Sequence, residues 1–265
     1  MSIWLNIFYT PPPSAFVAAM SVISCASLAY SGLSEARGRH LQYSKFWNSG
    51  RPSDDAGRTR ISSREGMLLL YTPALAAAAA SLGVLAGERS LLLGLALLLH
   101  FFKRDFEVLF IHRYSGSMMV DTAIPISLGY FLNTVCMIYA QYLTQGGVPE
   151  PAVDLKYAGV VLFLVGITGN FYHHYLLSKL REKKGDKRYR IPKGGLFRLV
   201  VCPHYLFEIL GFVGVSLISQ TVFAFSVAAG TVFYLMGRSY ATRRWYLSKF
   251  QDFPKQVKAL IPYVY

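Results

Sequence analysis

The chain has 265 residues, 53% of them hydrophobic and 15% charged, a composition that argues against a soluble domain and for one polytopic membrane domain. Its formal charge of +13 would suggest nucleic acid in a soluble protein. Here the basic residues fall in blocks between apolar segments, where they serve as orientation signals and contacts to anionic membrane lipids, so no nucleic-acid partner is expected.

Seven apolar segments follow in chain order, at about 14–33, 66–86, 91–111, 122–143, 157–177, 205–221 and 222–241, each near the roughly 20 residues that cross a bilayer. The expected fold class is all-α, a bundle of about seven transmembrane helices with a basic cytosolic C-terminal tail. Pro11, Pro12 and Pro13 precede the first segment, which lacks a basic flank and a small-residue cleavage site and therefore reads as a retained span. The loop 34–65 carries Arg37, Arg39, Lys45, Arg51, Arg58, Arg60 and Arg64, and the loop 178–204 is equally basic. Both belong on the cytosolic side. The segment 144–156 has Glu150 and Asp154 against Lys156 alone, which suits the opposite face. Cys25, Cys136 and Cys202 share no metal-ligand spacing, so neither a disulfide framework nor a zinc site is indicated and no metal is expected.

Three polar clusters interrupt the apolar segments, and polar groups are retained in a membrane mostly for a ligand, a relay or a partner. In the third segment His100, Lys103, Arg104 and Glu107 recur at helical spacing and form one stripe, which requires a polar neighbour. The bland reading pairs Lys103 with Glu107 while Arg104 snorkels. In the fifth segment Asn170, His174, Ser178 and Arg181 make a second row, with His173 off it as a packing histidine. The third cluster runs from Arg188, Tyr189 and Arg190 through Gly194 and Gly195 to Cys202, Pro203, His204, Tyr205 and Glu208, then to Arg238, Arg243, Arg244 and Tyr246. Arginine forks match phosphate oxygens, tyrosine offers a face for ring stacking, and paired glycines admit close backbone approach. Together they suggest a phosphorylated, aromatic cofactor. No GxGxxG follows a strand, so a Rossmann domain does not hold it.

The order Asn170 to Arg181, Tyr189-Arg190-Ile191-Pro192-Lys193-Gly194-Gly195-Leu196-Phe197, Pro203-His204-Tyr205 with Glu208, and Arg244-Trp245-Tyr246-Leu247 through Phe253-Pro254-Lys255 to Ile261-Pro262 resembles the steroid 5α-reductase family over residues 100–265. Lys103-Arg104 with Glu107, Leu109-Phe110-Ile111-His112-Arg113-Tyr114-Ser115 and Cys202-Pro203-His204-Tyr205 are similar to its very-long-chain enoyl-CoA reductase branch. The resemblance implies NADPH, a multi-pass endoplasmic-reticulum membrane protein with its C-terminus in the cytosol, and reduction of a carbon–carbon double bond conjugated to a carbonyl. Its implied substrates are a trans-2-enoyl-CoA of fatty-acid elongation or a 3-oxo-Δ4-steroid, and its implied partners are membrane lipids and other elongation enzymes.

The residues expected at the cofactor are Asn170, His174, Arg181, Tyr189, Arg190, His204, Glu208, Arg238, Arg244 and Tyr246. Those expected at the reaction are Tyr205 as proton donor and Lys103 with Glu107 as the pair that positions or polarises the carbonyl. The family's third-span tyrosine corresponds to Phe101, and its early glutamate aligns nearest to Leu70. Tyr71 and Tyr205 are the neighbouring hydroxyls open to replace it. Two other readings remain at this stage: an isoprenylcysteine-methyltransferase-like enzyme, whose S-adenosylmethionine carries no phosphate for the arginines, and a non-catalytic binding or scaffold protein derived from a reductase.

Overall fold

The computed structural model describes residues 6–10, 14–41, 59–114, 116–180 and 189–265; Arg181 and Arg188 lie outside them. All seven apolar segments are helices: α1 (Ala15–Ala36), α2 (Ser63–Ser81), α3 (Glu88–Phe106), α4 (Val120–Tyr142), α5 (Lys156–Ser178), α6 (Pro203–Ser219) and α7 (Val222–Lys249). Four of them, α1, α4, α5 and α7, are long and apolar enough to cross a membrane. The stripe in α3 lowers its hydropathy, and α6 has only 17 residues. Among the described residues the helices are joined by a pair of three-residue strands, β1 (Arg60–Ser62) and β2 (Ser117–Met119), antiparallel with Ile61 opposite Met118.

Helix boundaries follow side chains that satisfy otherwise orphaned backbone groups. Ser62 accepts from the Glu65 amide while Glu65 accepts from the Ser62 amide, a reciprocal cap that starts α2. Pro203 opens α6 at a position where a missing N–H costs nothing. At the other end Gln220 turns left-handed (φ 50°) and stops α6, and the next residue, Thr221, caps α7. Gln220 is fully buried, and its amide donates to the carbonyls of Ile7 and Val153 at 2.6 and 2.9 Å. Its side-chain oxygen accepts from Arg89 at 2.7 Å and from the Leu155 amide at 2.8 Å. Arg89 in turn reaches Asp154 at 2.7 Å and Glu150 at 3.0 Å. The acidic segment is thereby clamped to the starts of α3 and α5.

α5 packs along α6, α1 along α7, and α2 against α4. The closest approach joins α1 to α7: a Cβ on Gly237 would sit 1.9 Å from the Gly32 carbonyl oxygen, so these helices touch backbone to backbone. The C-terminal segment is docked, with Val201 and Cys202 donating to the carbonyls of Lys258 and Ala259 at 2.8 and 3.2 Å. Arg243 ties it down through the Val257 and Lys255 carbonyls, each at 2.7 Å.

Candidate active site

The polar stripe of α3 and the polar row of α5 face each other. Lys103 donates to the Asn170 side-chain oxygen and lies 3.2 Å from Glu107, so the pairing of the bland reading exists and forms part of something larger. Arg104 does not snorkel: it is buried and contacts Glu107 at 2.9 Å and the Tyr71 hydroxyl at 2.5 Å. Nδ1 of His174 lies 3.0 Å from both oxygens of Glu107. The Arg104 guanidinium lies 3.1 Å from the same nitrogen, so Arg104, Glu107 and His174 form one contact group. Asn170 completes the network by donating to the His204 carbonyl at 2.7 Å, which joins α5 to the start of α6.

Glu107 is the centre of this cluster and has no solvent exposure. It begins a single π-helical turn, Glu107–Ile111, in which the ladder widens before the chain leaves the helix. Glu107, His112 and His174 come close enough to share a cation. The Arg104 guanidinium, in contact with both Glu107 and His174, already supplies the positive charge there and repels a second.

Burial holds the His112 imidazole down at about 4, with Arg104 adding to the effect, so it is neutral near pH 7. An unfolded histidine takes up its proton near 6.5. Stability should therefore be full above about pH 6.5 and fall as pH drops toward 4, by up to about 1.4 kcal/mol per pH unit from this group. His112→Asn should flatten the decline of the thermal midpoint between pH 7 and 5; an unchanged slope would assign that decline to other groups.

Two cavities flank the cluster. The first, about 380 Å³, is polar, and its walls include Arg104, Arg113, Tyr114, His174, Tyr189, His204, Tyr205, Glu208 and Arg238. Arg238 is anchored from behind by the buried Glu35 of α1, which also accepts from His40 at 2.6 Å. The second, about 340 Å³, is lined mainly by apolar side chains, among them Leu97, Phe101, Met137, Phe212 and Val227. Tyr71, Tyr130, Glu208, Tyr234 and Leu235 belong to both, and so form a common wall.

Of the residues read from sequence, His174, Tyr189, His204, Tyr205, Glu208 and Arg238 line the polar cavity. Asn170 and Glu107 lie one layer behind its wall, bonded to His204 and to Arg104 and His174, and Lys103 lies behind them, bonded to both. Arg190, Arg244 and Tyr246 are not among the lining residues. Arg244 is exposed beside Tyr240, and Tyr246 stacks on Phe250 and Phe253 at 5.8 and 5.3 Å in a separate aromatic cluster. Arg181 falls outside the described residues.

Gly194 and Gly195 both have positive φ, and a Cβ on Gly195 would meet the His173 ring at 2.6 Å, so these glycines serve a turn packed onto α5. His173 packs as expected, stacked on Phe207 at 5.2 Å. The sequence did not single out Tyr130, Tyr234 or Glu35. Glu35 carried the one available signal, an acid near the end of an apolar helix whose buried charge requires a partner.

The family model described as 3-oxo-5-alpha-steroid 4-dehydrogenase matches residues 120–265. The chain is 32% identical over 235 residues to the 3-oxo-5-alpha-steroid 4-dehydrogenase 2 of Macaca fascicularis, covering 84% of this chain and 87% of that one. It is 30% identical over 257 residues to the 3-oxo-5-alpha-steroid 4-dehydrogenase 1 of the same species, 94% of each. It is also similar to the very-long-chain enoyl-CoA reductase of Dictyostelium discoideum, 32% identical over 171 residues, which are 63% of this chain and 55% of that one. The chain belongs to the 3-oxo-5-alpha-steroid 4-dehydrogenase family of oxidoreductases.

Proposed function

We propose that this protein is an NADPH-dependent reductase of a carbon–carbon double bond conjugated to a carbonyl in a lipid substrate, either a 3-oxo-Δ4-steroid or a trans-2-enoyl-CoA. The observation that carries this reading is the pair of cavities, one polar and arginine-lined, one apolar, with a wall in common. A dinucleotide needs cationic donors for its phosphates and aromatic faces for its rings, and the polar cavity has both in Arg104, Arg113 and Arg238 and in Tyr189 and Tyr205. S-adenosylmethionine has no phosphate to use those arginines, which argues against a methyltransferase. The apolar cavity suits the hydrocarbon part of a lipid.

When bound, the reduced nicotinamide would supply hydride to the β-carbon of the substrate. The chain's own residues do the rest. Arg238, held by Glu35, and Arg104, held by Glu107, keep fixed positive charge in the polar cavity. His174 and Glu208 set its inner face, and Lys103 with Glu107 positions Arg104 and, behind the wall, Asn170. Tyr205 lines the polar cavity with its ring 4.2 Å from that of His204, and supplies the proton that the α-carbon takes up. We place the protein in the endoplasmic-reticulum membrane with seven crossings, the basic loops and C-terminus cytosolic, as one membrane domain in which residues 100–265 form the reductase region. Arg181, Arg190, Arg244 and Tyr246 remain assigned to the cofactor by resemblance alone.

The test is NADPH consumption by detergent-purified protein given a 3-oxo-Δ4-steroid and a trans-2-enoyl-CoA in parallel. Turnover with one identifies the substrate class, and NADPH binding without any turnover favours the scaffold reading. Tyr205→Phe should leave NADPH affinity within about twofold and lower kcat by about 10²-fold, the scale of a lost general acid. An unchanged kcat removes Tyr205 from the reaction.

A further inference from the structure

We infer that Tyr71, on α2, is the hydroxyl that holds the carbonyl oxygen of the substrate, an inference that rests on the proposed reductase reading and names a residue within it. Tyr71 stands in the wall common to both cavities, where a group in the apolar chamber meets whatever occupies the polar one. It is buried in the apolar cluster of Leu70, Ala74, Phe101 and Met118. A phenol placed there has a polar end that must be satisfied. Its oxygen accepts from Arg104 at 2.5 Å, and the same guanidinium lies 4.7 Å from its ring centre. Tyr130, also in the common wall, packs edge-on against the ring at 5.3 Å and fixes its orientation.

Phe101, on α3, lines the same apolar cavity, 6.1 Å from the Tyr130 ring, and has no hydroxyl. Tyr71 and Phe101 thus flank Tyr130 from adjacent helices, and Tyr71 is the one that carries a donor. Tyr205 borders the polar cavity only. The two hydroxyls therefore divide the work, Tyr71 at oxygen and Tyr205 at carbon.

A reduced nicotinamide in the polar cavity would supply hydride to the β-carbon; with that C–H bond formed, the π electrons of the double bond would shift to give the enolate, whose charge gathers on oxygen. The Tyr71 O–H donates a hydrogen bond to that oxygen. Because its own oxygen accepts from a guanidinium, Tyr71 is a stronger donor than an isolated phenol. The α-carbon then takes a proton from Tyr205, which is restored from solvent. The sum is one hydride and one proton added across the double bond, with the nicotinamide oxidised and Tyr71 unchanged.

The experiment uses whichever enone the wild type reduces. Tyr71→Phe keeps the ring and its contact with Tyr130 but removes the acceptor of a buried Arg104 N–H, so the thermal midpoint should fall modestly while NADPH affinity remains near wild type. NADPH oxidation in a single turnover should slow by about 10²-fold or more, the usual cost of one oxyanion donor. Independently of turnover, the infrared carbonyl band of the bound enone, recorded with NADP⁺, should lie at lower frequency in the wild type than in Tyr71→Phe. Adding Phe101→Tyr to Tyr71→Phe should recover part of the rate by presenting a hydroxyl from the other side of Tyr130. An unshifted band with an unchanged rate overturns the inference, and a loss of NADPH affinity in Tyr71→Phe overturns it by making Tyr71 a cofactor residue. If the wild type oxidises no NADPH with either enone, it is the reductase reading that fails.

Discussion

Replacing Glu107 with leucine is expected to be the most damaging single change in the polar network. Its carboxylate is fully buried and faces Lys103, Arg104 and His174 at 2.9 to 3.2 Å. Removing it leaves two buried cations without the carboxylate that contacts both, and breaking a buried pair in this way costs about 3–5 kcal/mol. For a protein of this size the thermal midpoint should fall by roughly 6–20 °C. Glu107→Gln keeps the shape and one acceptor, so it should lie between leucine and the wild type. Because Arg104 lines the polar cavity, and Lys103 supports Asn170 behind it, both variants should lose NADPH affinity as well as stability. A midpoint within 2 °C of wild type for Glu107→Leu would mean that water enters the cluster and screens it.

The second large effect is expected at the seam of α1 and α7. A side chain on Gly237 meets the backbone oxygen of Gly32 at 1.9 Å, and backbone cannot rotate away as a side chain does. Overpacking typically costs about 1–3 kcal/mol where neighbours can shift; Gly237→Val should reach or exceed the upper end. α1 also carries Glu35, the anchor of Arg238, so spreading the two helices detaches a wall of the polar cavity. The variant should lose thermal stability and NADPH affinity together. Gly83→Ala, whose new methyl would lie 3.6 Å from its nearest neighbour, should do neither. Normal NADPH binding by Gly237→Val would show that Glu35 follows Arg238 through the displacement.

Much of this architecture is legible in the sequence because hydropathy and helical periodicity report directly on it. All seven apolar segments became helices; the Ser62 cap starts α2 three residues before the apolar run, Thr221 starts α7 where the run begins, and α7 continues eight residues past it. The two polar rows, Lys103 to Glu107 and Asn170 to His174, could each be read as a face, and the requirement of each for a polar neighbour was met by the other. Pairing between rows is what a single chain cannot display.

Helix phase explains much of what was misplaced. Arg244 lies six residues beyond Arg238, about 240° round the helix, so when Arg238 faces inward Arg244 faces outward. Tyr246 returns to within about 80° of Arg238 but about 12 Å further along, beside the docked C-terminal segment. Tyr71 was harder to read. A single hydroxyl within Leu68-Leu69-Leu70-Tyr71 has no periodic partner on its own helix, and its partner Arg104 comes from the next one.

The wall that the two cavities share makes their ligands thermodynamically dependent. Tyr71, Tyr130, Glu208, Tyr234 and Leu235 cannot be rearranged on one face without altering the other. Whatever factor cofactor occupancy contributes to lipid affinity, lipid occupancy must return to cofactor affinity. Under the proposed function, a lipid in the apolar chamber and a dinucleotide in the polar one would shift each other's affinity by one and the same factor.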